Sequence, residues 1–485
     1  MKRLAGTGLL VVLLAGGAAG QAVNPSSGSA GATADEFQRV RIEARVELVQ
    51  ALEAHVEWCT GKSMFLAREQ ALLQLVELEP DHVEARRLLG FTRERDGSWK
   101  PPAKPRPPKD FDKKLVDEAS TRLAATHGPY VERLVALLEQ GTLDAAARAA
   151  AAAEVLRLEP DEARVRALLG EVRDGERWVL PETLASRTRR EELRALVKQA
   201  FAEGVAAEEV PLNERERAFG PKWRAVAAGR VRVVGSAPLE ELGLCATAMQ
   251  ALERFAQGVF GSRYALPEGL TAFLFDDPQQ KTLFIERHPA IAPEARAFYQ
   301  ALEGCGVQGS ADFAFWTGDA QRRIDGIVRL LLGYWLSGAF ELRAEHGWLY
   351  EGFGLFLTRS LVRSRLTWLA QASTTLPSAE DMALRQKLLE PDSNWLDEAR
   401  KVLQAGRALP LAELSRKGAS ELTTEDVLFS YALTSYLLEA RPELVAPLCT
   451  RVGRGVAPTQ ALAEALALEP AAVPARLLRW LEERQ

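Results

Sequence analysis

One block of this chain is written twice, and each copy dictates a local chain path. Leu78-Glu79-Pro80-Asp81, Leu88-Leu89-Gly90 and Asp96-Gly97-Ser98-Trp99 return about 80 residues on as Leu158-Glu159-Pro160-Asp161, Leu168-Leu169-Gly170 and Asp174-Gly175-Glu176-Arg177-Trp178. Proline after glutamate ends one helix, and Asp81 or Asp161 is placed to cap the next by accepting from its free N–H groups. The leucine pair packs that helix, glycine ends it in a left-handed turn, and the tryptophan folds back as an apolar lid. Around the block, from Asp35 to about Val210, apolar residues recur at three- and four-residue steps, as in Val46, Leu48, Val49, Leu52 and Val56. The spacing predicts helix almost throughout.

This pattern resembles the tetratricopeptide type of helical-hairpin array in its architecture, although neither copy carries that family's full consensus. The resemblance implies a surface for a protein or peptide partner; a spacer of stacked hairpins is the alternative reading. Residues 101–109, between the copies, are proline-rich and basic and predict an extended, semi-rigid linker. Ala145 to Ala153 predicts a helix from propensity alone.

After about Leu212 the character changes. Strands are predicted at Arg230 to Val234, Leu270 to Phe275 and Phe313 to Trp316, with helices over Pro238 to Val259 and Asp319 to Phe340. From Gly347 onward the chain reads as helical again. The expected fold class is therefore mostly α with a small α+β domain. The expected division is helical repeats at 35–100 and 110–210, an α+β domain at 211–365 and a helical subdomain at 366–485.

The N-terminus has the layout of a secretory signal peptide at residues 1–22. Lys2 and Arg3 form the basic region, Leu9 to Ala15 a short apolar region, and small residues follow. A polar, small-residue leader is expected at 23–34, and the chain is expected to be exported to a periplasm, cell surface or exterior. No later apolar run reaches the ~20 residues that a helical crossing needs. A net charge of −5 gives no electrostatic case for nucleic acid. Cys59, Cys245, Cys305 and Cys449 lack any CxxC spacing. Export would allow pairing in any of three ways, but their apolar contexts favour buried free thiols for most of them. His55 and Cys59 share a helical face, a pairing that alone points to packing rather than to a metal.

Trp348-Leu349-Tyr350-Glu351-Gly352-Phe353-Gly354-Leu355-Phe356 resembles the WLxEGxAxY segment of gluzincin metallopeptidases, particularly the peptidase MA-like group. The helix Phe429 to Glu439 resembles the YxxAxxxxxYLxE helix that follows in that group, so the likeness covers about residues 225–485. The resemblance implies that Glu351 corresponds to the third zinc ligand, with an HExxH helix about twenty residues upstream supplying two histidines and a general base. That helix instead reads Arg323-Ile324-Asp325-Gly326-Ile327-Val328-Arg329, and no histidine lies between His288 and His346.

The departure removes the chemistry. A catalytic zinc needs three protein ligands, of which Glu351 is one, and Arg329 would place a fixed cation near the metal position. Asp325 and Arg329 are spaced for an ion pair on one helical face. Glu351 is expected to pair with Arg329, Arg322 or Arg323. The candidate cleft residues are Asp325, Arg329, Trp348 and Glu351, with Glu351 as a vestigial catalytic residue and no metal or cofactor. The expected function is that of an exported, non-catalytic pseudo-peptidase acting in binding or scaffolding. A hydrolase with a repurposed cleft around Glu351 is the alternative.

Overall fold

The computed structural model describes residues 29–102, 113–220, 222–307, 310–364, 378–390 and 392–484. The signal peptide at 1–22 and most of the proline-rich linker fall outside the described residues. The chain divides into two compact units, Met1–Val179 and Leu180–Gln485.

The first unit is a duplication of five elements. One copy comprises α1 (Ser29–Gly61), α2 (Phe65–Leu78), α3 (Val83–Leu88) and the hairpin β1 (Thr92–Arg93) and β2 (Trp99–Lys100). The other comprises α4 (Lys113–Gln140), α5 (Ala145–Leu158), α6 (Ala163–Leu168) and the hairpin β3 (Val172–Asp174) and β4 (Arg177–Val179). Helix α1 starts inside the stretch expected as a flexible leader, where Ala30, Ala32 and Ala34 favour helix.

Gly90 and Gly170 take φ of +83° and +71°, the left-handed turn their positions predict. The caps differ from expectation. His82 accepts from the Ala85 N–H and Glu162 from the Arg164 N–H, one residue beyond each expected aspartate. Asp161 instead accepts from the Trp178 indole at 2.8 Å and from Arg173 at 2.7 Å, tying the second hairpin back to the helix turn. Arg86 and Arg166 occupy equivalent places, each donating to the carbonyl of the preceding proline. In both hairpins an arginine stacks on the paired tryptophan, Arg93 on Trp99 and Arg173 on Trp178.

The second unit begins earlier than composition suggests. Helix α7 (Pro181–Ala202) belongs to it, and not to the helical repeats expected to run to residue 210. The reason is packing: α7 buries Leu193 and Ala200 in the core of this unit. There follow β5 (Glu208–Val210), α8 (Glu214–Phe219), β6 (Arg224–Ala228), β7 (Val231–Gly235), α9 (Leu239–Phe260), β8 (Thr271–Phe275), α10 (Pro278–Arg287), α11 (Arg296–Ala301), β9 (Gly304–Gly306) and β10 (Asp312–Trp316). After them come α12 (Ala320–Phe340), α13 (Gly347–Val362), α14 (Ala379–Leu389), α15 (Trp395–Gln404), α16 (Leu411–Leu414), α17 (Thr424–Ala440), α18 (Pro442–Gly453), α19 (Pro458–Leu466) and α20 (Val473–Glu483).

The sheet runs β5-β6-β7-β8-β10-β9. Its centre, β7-β8-β10, is parallel and its flanks are antiparallel. Both faces of the centre are covered, which is why Ala272 to Phe275 and Phe313 to Trp316 read as unbroken apolar runs. Ala272, Leu274, Phe313 and Phe315 face the large core with α9, α12, α13 and α17. Phe273, Phe275, Ala314 and Trp316 face a smaller aromatic cluster with Phe219, Trp223 and Phe284. The fold class is that expected, mostly α with a small mixed sheet. Among the described residues no helix is long and apolar enough to cross a membrane.

Candidate functional site

The candidate residues sit on α12 and α13. Asp319 caps α12 by accepting from the Arg322 N–H at 3.0 Å. Three glycines then let other elements approach this helix. A Cβ at Gly326 would overlap the Phe315 ring, one at Gly333 the Tyr350 hydroxyl, and one at Gly338 the Tyr264 ring. The contacts run in opposite senses along the two helices: Gln321 reaches Val362, Arg329 reaches Glu351, and Gly333 takes Tyr350. Helices α12 and α13 are therefore antiparallel, with Arg329 opposite the Glu351-Gly352-Phe353-Gly354 segment.

Arg329 and Glu351 form a buried ion pair. Nη2 of Arg329 lies 3.0 Å from Oε1 of Glu351, and the two side chains are 1% and 3% exposed. Nη2 also donates to the Tyr350 carbonyl at 3.4 Å, and the guanidinium lies 4.9 Å from the centre of the Tyr350 ring. Gly354 forms the floor, because a Cβ there would overlap the guanidinium. Arg329 Nε and Nη1 and Glu351 Oε2 are buried without a hydrogen-bond partner among the described residues. Burial pushes the Glu351 carboxyl above the usual carboxylate range, opposed by the charge and hydrogen bond of Arg329. The guanidinium remains charged at any working pH, so neutralising Glu351 would strand a buried cation.

Each neighbouring arginine has its own carboxylate. Arg323 binds Glu241 of α9 through two bonds of 2.6 Å and also donates to the Thr317 carbonyl. Arg322 reaches Glu303 at 2.5 Å on the exposed side. Glu351 therefore takes Arg329, the one of the three expected partners whose position on α12 faces α13. The expected Asp325–Arg329 pair gives way to this arrangement. Asp325 accepts from Gln321 Nε2 at 2.7 Å, near the far end of α13, while the carboxylate that holds Arg329 is Glu351. Trp348 does not line a cleft: it is fully buried in the main core and donates its indole N–H to Ser415 at 3.2 Å. Tyr350, Gly333 and Gly354 shape the site and were not singled out by sequence. Their signal was the pairing of small residues on one helix with large ones on the other.

The donor set does not fit the zinc that the gluzincin resemblance implies. The position facing Glu351 on α12 carries a guanidinium, which supplies five N–H donors and no lone pair for a metal. Glu351 spends one oxygen on that guanidinium. Among the described residues no group of three or more His, Cys, Asp or Glu side chains is arranged to hold a metal.

Elsewhere, Asp312 at the start of β10 forms a second buried polar cluster. It accepts from His288 Nε2 at 2.9 Å and from both terminal nitrogens of Arg215 at 3.0 and 2.9 Å. Burial is the largest influence on Asp312 and raises it, yet His288 and Arg215 together hold it below the usual carboxylate range. The Ala290 N–H donates to His288 Nδ1, which fixes the proton on Nε2. All four cysteines are buried, and no disulfide joins them. Burial pushes the Cys305 thiol up to about 12, against the nearby Lys281, so it is no nucleophile at neutral pH.

No protein-family model, curated protein or solved structure matches this chain.

Proposed function

We propose that this protein is an exported, non-catalytic member of the gluzincin-like class, acting by binding or scaffolding. The observation that carries the reading is the Arg329–Glu351 pair. In a zinc hydrolase the glutamate of this helix offers its oxygens to a metal; here it is bonded to a fixed cation at 3.0 Å and faces the core. A hydrolase built around Glu351 would need that carboxylate to reach a substrate, and at 3% exposure it does not. The duplicated helical unit supports the binding role, because paired helical hairpins present a rigid, extended surface to a protein or peptide.

Metal analysis tests the reading directly. The purified mature protein is expected to hold no stoichiometric zinc, and a strong chelator should leave its melting temperature unchanged. Zinc at one per chain together with a chelator-sensitive melting temperature would overturn the proposal. Export is tested separately, by N-terminal sequencing of the protein from its producing cells: a chain that retains Met1 in the cytoplasm would refute it.

A further inference from the structure

The strongest group outside the α12–α13 site lies where the two copies of the duplicated unit meet. Helices α1 and α4 come from different copies and run antiparallel, as the Glu47–Arg133 pair at 2.7 Å and the stacking of Arg122 on Trp58 fix. This register brings His55 of α1 and His127 of α4 to neighbouring levels of the seam, and both are buried, at 1% and 4% exposure. His55 Nε2 lies 3.3 Å from the Cys59 thiol, and its Nδ1 is buried without a hydrogen-bond partner among the described residues. His127 Nε2 meets the Gln74 side-chain oxygen of α2 at 2.9 Å. The His55 ring stacks on Trp58, with centroids 5.9 Å apart.

We propose that His55 and His127, both buried at the α1–α4 seam, form a proton-sensitive latch between the two copies, closed while both imidazoles are neutral and weakened when either is protonated. Burial and the nearby guanidinium groups make charging costly. The groups facing the pair are the Cys59 thiol on α1, the neutral Gln74 on α2, Arg122 on α4 and Arg157 on α5. Arg122 and Arg157 are positive, Arg157 being itself paired with Glu77 of α2, and a charge on either histidine would repel one on the other. In the opened state each ring reaches water and takes its proton without penalty. Burial, the largest influence, with His55 and Arg157 adding to it, brings His127 down to about 4 from an ordinary 6.5. His55 is lowered as well, by burial and by Arg122. A folded value below the unfolded one means the opened state binds more protons between the two. Stability is therefore full above about 6.5 and is lost as pH falls toward 4. At pH 5.5 the His127 contribution alone favours opening about tenfold over neutral pH.

Hydrogen exchange of the full-length protein tests this. Between pH 7.5 and 5.5, after correction for intrinsic exchange rates, peptides from α1 and α4 should lose about tenfold protection, while those from α12 and α13 keep theirs. His127→Gln and His127→Leu should each flatten the response of α1 and α4. Unchanged protection of the wild-type helices, or an undiminished loss in a folded substituted chain, would overturn the latch. The wild-type ring gives a second readout that needs no variant. In the closed helices the His127 ring should stay neutral at pH 5.5, and a ring already protonated at that pH with the helices intact would equally refute the proposal.

Discussion

Replacing Arg329 by methionine isolates the buried pair. Methionine refills most of the arginine stem's volume and lies over Gly354 without a Cβ change there, so the main loss is the positive charge. Glu351 would then stand 3% exposed in the large core with no cation. Removing one partner of a buried ion pair costs about 3–5 kcal/mol, because the remaining charge stays desolvated. The penalty should depend on pH with a defined sign. Burial already raises Glu351 above its ordinary 4.5, and losing Arg329 removes the influence that opposed it. The folded variant then binds more protons than the unfolded chain above pH 4.5, so its stability falls as pH rises, by up to about 1.4 kcal/mol per unit until the folded value is passed. Urea unfolding followed by tryptophan fluorescence reads the second unit well, since Trp335, Trp348, Trp395 and Trp480 are all fully buried there. The double variant Arg329→Met/Glu351→Leu removes both charges and should recover to within about 1–2 kcal/mol of wild type. A single variant within about 0.5 kcal/mol of wild type at every pH would refute the view that this pair is a desolvated, mutually dependent unit.

Other expectations follow from the same packing. Gly354→Ala should cost about 1–3 kcal/mol by driving the guanidinium off Glu351, and Gly352→Ala a similar amount through its clash with Thr434 and the Ser430 carbonyl; unchanged urea midpoints would exclude the close approach. Glu483 accepts from the Leu180 N–H at 2.9 Å and the Thr183 hydroxyl at 2.8 Å, so α20 caps the start of α7. Glu483→Ala should therefore cost about 1–2 kcal/mol in the second unit, and amides at the start of α7 should exchange faster. The four buried thiols should resist an aqueous disulfide reagent in the folded protein and all react in denaturant; rapid labelling of any one under native conditions would contradict its burial.

Much of the fold was legible because it rests on local rules. The block around Pro80 and Pro160 marked helix ends, left-handed glycines and returning tryptophans, and α12 and β8 lie within a residue of their predicted bounds. Local rules failed where a partner from elsewhere decided the outcome. Asp161 looked like a helix cap, but Trp178 and Arg173 draw it into the hairpin. Helix α7 followed the repeats in sequence, yet its apolar face matches the second unit's core. Trp348 looked like a cleft residue beside Glu351, but it is packed in the main core with its indole held by Ser415.

Sequence by itself determined that the α12 helix carries Asp325 and Arg329 where the gluzincin resemblance calls for histidines, since ligand chemistry is a property of residue type. It also offered three arginines for one glutamate and could not choose among them. The tertiary structure chose, because Gly333 and Gly354 let α12 and α13 approach closely enough that only Arg329 meets Glu351. Arg322 and Arg323 project toward other elements and find Glu303 and Glu241. A buried charge takes whichever opposite charge the helix crossing brings within about 3–4 Å, and crossings are set by side-chain volume across the interface rather than by spacing along the chain.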